Sequence, residues 1–249
     1  MDKIKRLKPA FTQHSPETQT DYAVYIHAPE TNLHSGPWPV VAFMDGDDQF
    51  QAAVAAYESR LQASAIPPLL LVGVGYGASY ANPANRRGRD YTPTAHSDEP
   101  SSGHADAFVA FLQFTLWPEL AKRYPISSTV RGVAGHSLGS LLALYAMLAE
   151  PPFFTHYLAS APSIWWDDRS ILKLIKARHR RNPTLPATLF LSVGENDTDS
   201  MTRDWAQLDE QLRELPFDQL RVVTRRFTGR NHFNVLPDAF GAGLELLFG

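Results

Sequence analysis

Ser137 lies in Gly135-His136-Ser137-Leu138-Gly139, a match to G-x-S-x-G. The chemistry this pattern serves is attack by a serine hydroxyl on a carbonyl carbon. The spacing has a steric cause. A serine on a sharp strand-to-helix turn is held in a strained conformation that lifts its Oγ clear of the sheet, and side chains at the flanking positions would strike the neighbouring strand or helix. Both flanks agree with this. Thr129 to Ala134 is rich in β-branched residues, as a strand would be, and Leu141 to Met147 is a run of helix formers. The N-terminus of that helix would bring N–H groups to the place where negative charge develops.

A serine hydroxyl needs a base within hydrogen-bond reach. Downstream of Ser137 the histidines are His156, His179 and His232. His156 begins a strand and would point into packing. His179 lies on the basic run Lys176 to Arg181, a solvated helix face. His232, in Gly229-Arg230-Asn231-His232-Phe233, falls between the last strand and the last helix and is the candidate base. An acid that accepts Nδ1–H of that histidine would follow the preceding strand. Three carboxylates compete there in Gly194-Glu195-Asn196-Asp197-Thr198-Asp199. Asp197 is favoured by its depth in the turn, Glu195 is the runner-up, and Asp199 suits a helix cap. The oxyanion needs two N–H donors. Leu138 would supply one, and the turn Asp45-Gly46-Asp47-Asp48 the other, from Gly46 or Asp47.

The elements that position these groups follow from apolar patterning. Strands are expected over 21–29, 39–46, 67–75, 129–134, 155–161, 187–194 and 221–227, and helices over 50–64, 105–124, 141–147, 170–181, 201–215 and 236–248. Residues 1–20 read as an irregular lead-in with a possible edge strand, and residues 30–37 as a turn-rich loop. Pro118 would kink or split its helix. Strands alternating with helices predict an α/β domain with a mostly parallel central sheet and helices on both faces. Sites on such sheets form beyond the carboxyl ends of the strands, where the candidate residues fall. Residues 76–103 have little periodicity, and long loops of that kind usually carry function or move.

The 249 residues, 44% hydrophobic and 20% charged, suit one such domain spanning 1–249. A net charge of −3 argues against nucleic-acid or anionic-membrane partners. Without cysteine, the chain has no disulfides, thiol catalysis or thiolate metal sites. No His/Asp/Glu cluster has metal-ligand spacing and no glycine-rich phosphate loop occurs, so neither metal nor cofactor is expected. The charged stretch Met1 to Pro9 has no apolar run behind it and does not read as a signal peptide, so the expectation is a cytoplasmic protein.

Several motifs occur in order: Phe43-Met44-Asp45-Gly46, Asn85-Arg86-Arg87-Gly88-Arg89-Asp90-Tyr91-Thr92-Pro93, the Ser137 pentapeptide, Ser160-Ala161-Pro162-Ser163-Ile164-Trp165-Trp166, Val193 to Asp197, and Asn231-His232. On these the chain, from about Tyr22 to Leu247, resembles the esterase-D-like superfamily of α/β hydrolases, and within it the siderophore (enterobactin/salmochelin) esterase-like branch. The resemblance implies the α/β-hydrolase fold, Ser137 as nucleophile, His232 as base, and hydrolysis of carboxylic esters, from siderophore lactones to short-chain esters. Some members of that branch manage with a Ser–His pair. Its exported members carry a leader that this chain lacks, which puts an extracytoplasmic role in doubt.

Two groups would shape a substrate pocket. Arg86, Arg87 and Arg89 would bind an anionic small-molecule ester, or pair with Asp90 or another carboxylate to pin the loop. Trp165 and Trp166 would wall an acyl or aromatic site, or be buried. Two competing functions use the same residues. One is acyl transfer from the same Ser-His-Asp site, with an alcohol or thiol in place of water. The other is a catalytically silent binding module. An intact Ser137/Asp197/His232 set argues against the silent module.

Overall fold

A computed structural model describes residues 7–30 and 36–249. The expectations for residues 1–6 and 31–35 lie outside the described residues. The lead-in does hold an edge strand, β1 (Phe11–Ser15), followed by β2 (Thr20–His27), β3 (Trp38–Phe43), α1 (Phe50–Gln62) and β4 (Leu70–Gly75). Within the long loop sits a single short helix, α2 (Arg87–Asp90). Next come α3 (Ala105–Ala110), a π-helical turn (Phe111–Leu116), α4 (Trp117–Arg123), β5 (Ile126–His136), α5 (Leu138–Ala146) and β6 (His156–Ser160). The chain closes with α6 (Trp166–Arg181), β7 (Thr184–Gly194), α7 (Asp199–Glu214), β8 (Asp218–Phe227) and α8 (Leu236–Phe248).

The strands form one sheet in the order β1-β2-β4-β3-β5-β6-β7-β8. The pairs β1–β2 and β2–β4 are antiparallel, and the pairs from β4–β3 through β7–β8 are parallel. The central strands are buried on both sides, as continuous apolar runs require. Alternation decides which face each residue serves. Val40 and Ala42 of β3 join a core with Phe108, Phe111, Leu141 and Ile175, while Val41 and Phe43 join a second core with Phe50, Tyr57, Phe240 and Leu244. Helices therefore cover both faces, in the α/β-hydrolase arrangement.

Pro118 does not split the 105–123 helix. It stands in the first turn of α4, directly after the π-helical turn. A proline has no N–H for the carbonyl four residues back, and its ring crowds that carbonyl. The widened turn before it accommodates both effects.

Gly135 is where sterics leave no choice. A Cβ there would lie 2.2 Å from the carbonyl carbon of Gly139 and 2.3 Å from its oxygen. Gly135→Ala is expected to cost about 3 kcal/mol, the upper end of overpacking, because both offending atoms are backbone. Thermal unfolding beside Gly88→Ala checks this, since a Cβ at Gly88 comes no closer than 3.4 Å to a neighbour.

Candidate active site

The turn from β5 into α5 holds Ser137 at φ 59° and ψ −121°. That conformation is costly for a non-glycine residue and is found where surrounding structure enforces it at a functional site. The enforcement is visible: Ser137 N–H donates to Ser160 O at 3.0 Å, and Ser137 O accepts from Ser140, Leu141 and Ser163 N–H. Leu138 opens α5, so its N–H is among those a helix leaves without an internal partner. It is the hole donor expected from this turn.

Asp197 and His232, the candidate acid and base, meet because two loops pack without an intervening side chain. A Cβ on Gly194 would lie 2.5 Å from Arg230 O, and Asn196 N–H donates to that same oxygen at 2.7 Å. His232 Nδ1 then lies 2.9 Å from Asp197 Oδ2, and the other Asp197 oxygen accepts Thr198 N–H at 2.8 Å. The Asp197 carboxylate is fully buried. A carboxylate facing Nδ1 favours the tautomer protonated there, which leaves Nε2 able to accept a proton. The other two carboxylates serve elsewhere. Glu195 Oε2 accepts Gly229 N–H, and Asp199 occupies the first turn of α7, whose cap is the Thr198 hydroxyl.

Of the remaining histidines, His156 stacks on Phe248 and His179 contacts Pro216 O and Phe217, both away from the serine. His136, read in the sequence only as the variable residue of the motif, proves part of the site. Its ring lies 4.5 Å from that of His232, and its Nδ1 is 3.1 Å from Ser160 Oγ. Burial, followed by the neighbouring His232, lowers its pKa to about 3. It therefore supports the base as a neutral ring and adds no second positive charge.

Ser137 and His232 open on one cleft of about 410 Å³, with Asp48, Gln49, Tyr80, Arg87, His136, Phe233 and Leu236. A second cavity of about 620 Å³ adjoins it, sharing Tyr80 and Arg87 and reaching Leu138, Arg86, Arg89 and Glu99. Both volumes suit small-molecule sites. Phe233 projects beside the base, 88% exposed, with its ring edge-on to His232.

Some expected roles need correction. Gly46 N–H is spent on Val74 O at 2.8 Å, so it does not serve the hole. For Asp47 the contacts are through its side chain, the carboxylate accepting Tyr25 OH at 2.6 Å and Tyr76 N–H at 2.5 Å beside a separate cavity, and they do not bear on its backbone N–H as the expected donor. The residues of this turn that reach the serine's cleft are Asp48 and Gln49, whose N–H groups both return to Asp45 O. Neither tryptophan lines the cleft. Trp166 is buried and its Nε1–H donates to Thr94 O at 3.0 Å, fastening the long loop, while Trp165 is half exposed beside it.

The three arginines divide between the two expected roles. Arg89 pairs with buried Asp90 at 2.6 Å and donates to Thr20 Oγ1, pinning the loop to β2. Arg87 forks onto fully buried Asp45, Nε to Oδ1 at 2.8 Å and Nη2 to Oδ2 at 3.0 Å. Burial pushes the Asp45 carboxyl up and Arg87 pulls it back. For Arg87, burial opposes the charge, but Asp45 more than restores it. The bidentate geometry is that of a charged pair. Arg86 is exposed on the second cavity, and among the described residues it has no ion-pair partner.

A family model described as Putative esterase matches residues 15–234. The chain belongs to this esterase family. It is 31% identical over 237 residues to the ferri-bacillibactin esterase BesA of Bacillus subtilis, covering 87% of this chain and 81% of that one. It is 34% identical over 172 residues to the siderophore triacetylfusarinine C esterase of Aspergillus fumigatus, covering 64% of this chain and 58% of the relative. The crystal structure of the BES protein from Bacillus cereus matches with a TM-score of 0.86 at 26% identity, over 100% of this chain and 97% of the other. The siderophore hydrolase EstB from Aspergillus nidulans shares the fold, with a TM-score of 0.81 at 24% identity over 96% and 93%. This esterase is a serine-hydrolase-type enzyme acting on carboxylic esters, and the acyl-transfer and silent-module readings find no support among its relatives. No helix among the described residues is long and apolar enough to cross a membrane, and no group of three or more metal-ligating side chains occurs among them.

Proposed function

We propose that Ser137, His232 and Asp197 form a catalytic triad that hydrolyses esters of anionic, aromatic-bearing acids, with siderophore-type lactones as the substrate class. The observation that carries the triad is the 2.9 Å contact of buried Asp197 with His232 Nδ1, in the cleft that holds strained Ser137. Ser137 Oγ attacks the ester carbonyl while His232 Nε2 takes its proton. Leu138 N–H faces the oxyanion. The alcohol leaves with the proton from His232, and an acyl-enzyme remains. Water then gives a proton to His232 and releases the acid.

The substrate class rests on the walls and the relatives. Tyr80 and Phe233 offer exposed ring surface on the Ser137 cleft. Arg87 keeps Nη1 outside its fork with Asp45, and Arg86, without an ion-pair partner among the described residues, adds a cation on the adjoining cavity. The two relatives above act, by name, on siderophores. The test is incubation with a catecholate trilactone, followed by mass spectrometry, beside a neutral p-nitrophenyl ester. Ring-opened and shorter linear products are expected, and Arg86→Ala is expected to raise KM for the trilactone about 3–10-fold while leaving the neutral ester unchanged. Turnover of the neutral ester alone would assign the enzyme to simple esters.

A further inference from the structure

Ser163 lies against the nucleophile, and the triad gives it no task. Its Oγ is 3.2 Å from Ser137 Oγ, and its N–H donates to Ser137 O at 3.2 Å. It is 1% exposed. Among the described residues neither hydroxyl has another hydrogen-bond partner. The segment carrying Ser163 is fixed on both sides. Ala161 N–H donates to Ser192 O at 2.7 Å, Trp166 N–H donates to Ser163 O at 3.2 Å, and the Trp166 indole is fastened to Thr94 O. Ser163 Oγ is therefore held beside the atom that forms and breaks the bond to the acyl group.

We infer that Ser163 is a further catalytic residue, donating a hydrogen bond to Ser137 Oγ in the acyl-enzyme and speeding its breakdown. The inference rests on the reading of Ser137 as nucleophile. Before reaction the two hydroxyls share a hydrogen bond that either one can donate. During acylation the Ser137 proton passes to His232 and leaves on the alcohol. Ser137 Oγ is now an ester oxygen without a proton, so the pair stays hydrogen-bonded only with Ser163 donating. In deacylation a water oxygen bonds to the acyl carbon and its proton goes to His232. The carbon–Oγ bond then breaks, its electron pair stays on Oγ, and Oγ takes that proton. Charge builds on Oγ as the bond breaks, so the Ser163 hydrogen bond strengthens towards that transition state. Only an interaction that strengthens in this way accelerates a step. In acylation Oγ passes through a similar partly charged state but starts as a hydroxyl, a better acceptor than an ester oxygen and already hydrogen-bonded to Ser163, so the bond strengthens less and Ser163 contributes less there.

The test compares wild type, Ser163→Ala, Ser163→Thr and Ser137→Ala by stopped flow with p-nitrophenyl butyrate, each shown folded by thermal unfolding. Ser163→Ala is expected to lower kcat roughly 10–100-fold, as loss of a hydrogen bond to a charged atom would, with kcat/KM within about threefold of wild type. It is also expected to show a p-nitrophenol burst approaching one equivalent per site. Ser163→Thr keeps the hydroxyl and is expected to restore kcat. A joint fall of kcat and kcat/KM without a burst would mean that Ser163 only shapes the elbow, and unchanged kinetics would mean that it does nothing; both overturn the inference while leaving the triad intact. Turnover that survives Ser137→Ala removes the nucleophile itself, and the inference with it.

Discussion

Ser137→Ala and His232→Ala are each expected to lower kcat for an activated ester by about four to six orders of magnitude, with the double variant little worse than either single one. The near-identity of the three losses follows from the geometry. In the proposed mechanism Ser137 supplies the atom that bonds to carbon, and His232, on the same cleft, takes its proton. Removing either leaves the other without a function, so the effects cannot add. What survives is the contribution of Leu138 N–H and of substrate binding. Asp197→Asn keeps the shape of the pair but changes what Nδ1 faces. An amide that offers N–H to Nδ1 favours the wrong tautomer and puts the proton on Nε2, so a loss of about ten-thousand-fold is expected. Steady-state kinetics of the purified variants, each with a native unfolding transition, checks all of these. Losses of only a few-fold in Ser137→Ala would remove the serine mechanism.

Arg87→Ala is expected to destabilise the protein by about 3–5 kcal/mol, because it leaves a buried carboxylate without its counter-charge. Asp45 shows the dependence. Its side chain has no exposed surface, and both oxygens are held by the Arg87 fork. Arg87 also spans the cleft, with its guanidinium 4.7 Å from the Tyr80 ring centroid and 5.8 Å from that of Tyr91. Its removal would therefore loosen the loop that walls the site as well as expose the charge. The pair can be separated from the packing. An Asp45→Asn/Arg87→Met double variant removes both charges and keeps most of the volume, so it is expected to recover much of the loss. Urea unfolding of the single and double variants reads this directly. Equal destabilisation by both would assign the effect to packing alone.

These two outcomes differ in how much of their basis was legible in the sequence. The elbow was legible because its constraint is local. Gly135 and Gly139 stand four residues apart and would collide in space if the first carried a side chain. His232 and Asp197 were legible because a parallel sheet places its useful loops after successive strands, although three carboxylates shared that turn and only the contact with His232 separates them. The hole donor was not legible at Gly46. Whether a backbone N–H is free depends on which strand edge lies opposite, and here Val74 O does. The partner of Arg87 was equally hidden, since Asp45 is 42 residues away in the chain. Trp166 reads in sequence as either pocket wall or buried, and in space it is buried and anchors Thr94, because nothing local says which way an indole turns. The same blindness hid His136 and Ser163, whose importance comes only from what lies against them.

The most direct measurement is mass spectrometry of the protein after reaction with a fluorophosphonate probe, with peptide mapping of the adduct. One adduct per chain on Ser137 is expected, lost in Ser137→Ala and strongly slowed in His232→Ala. An adduct on another serine, or labelling that persists in Ser137→Ala, would contradict the assignment of the nucleophile.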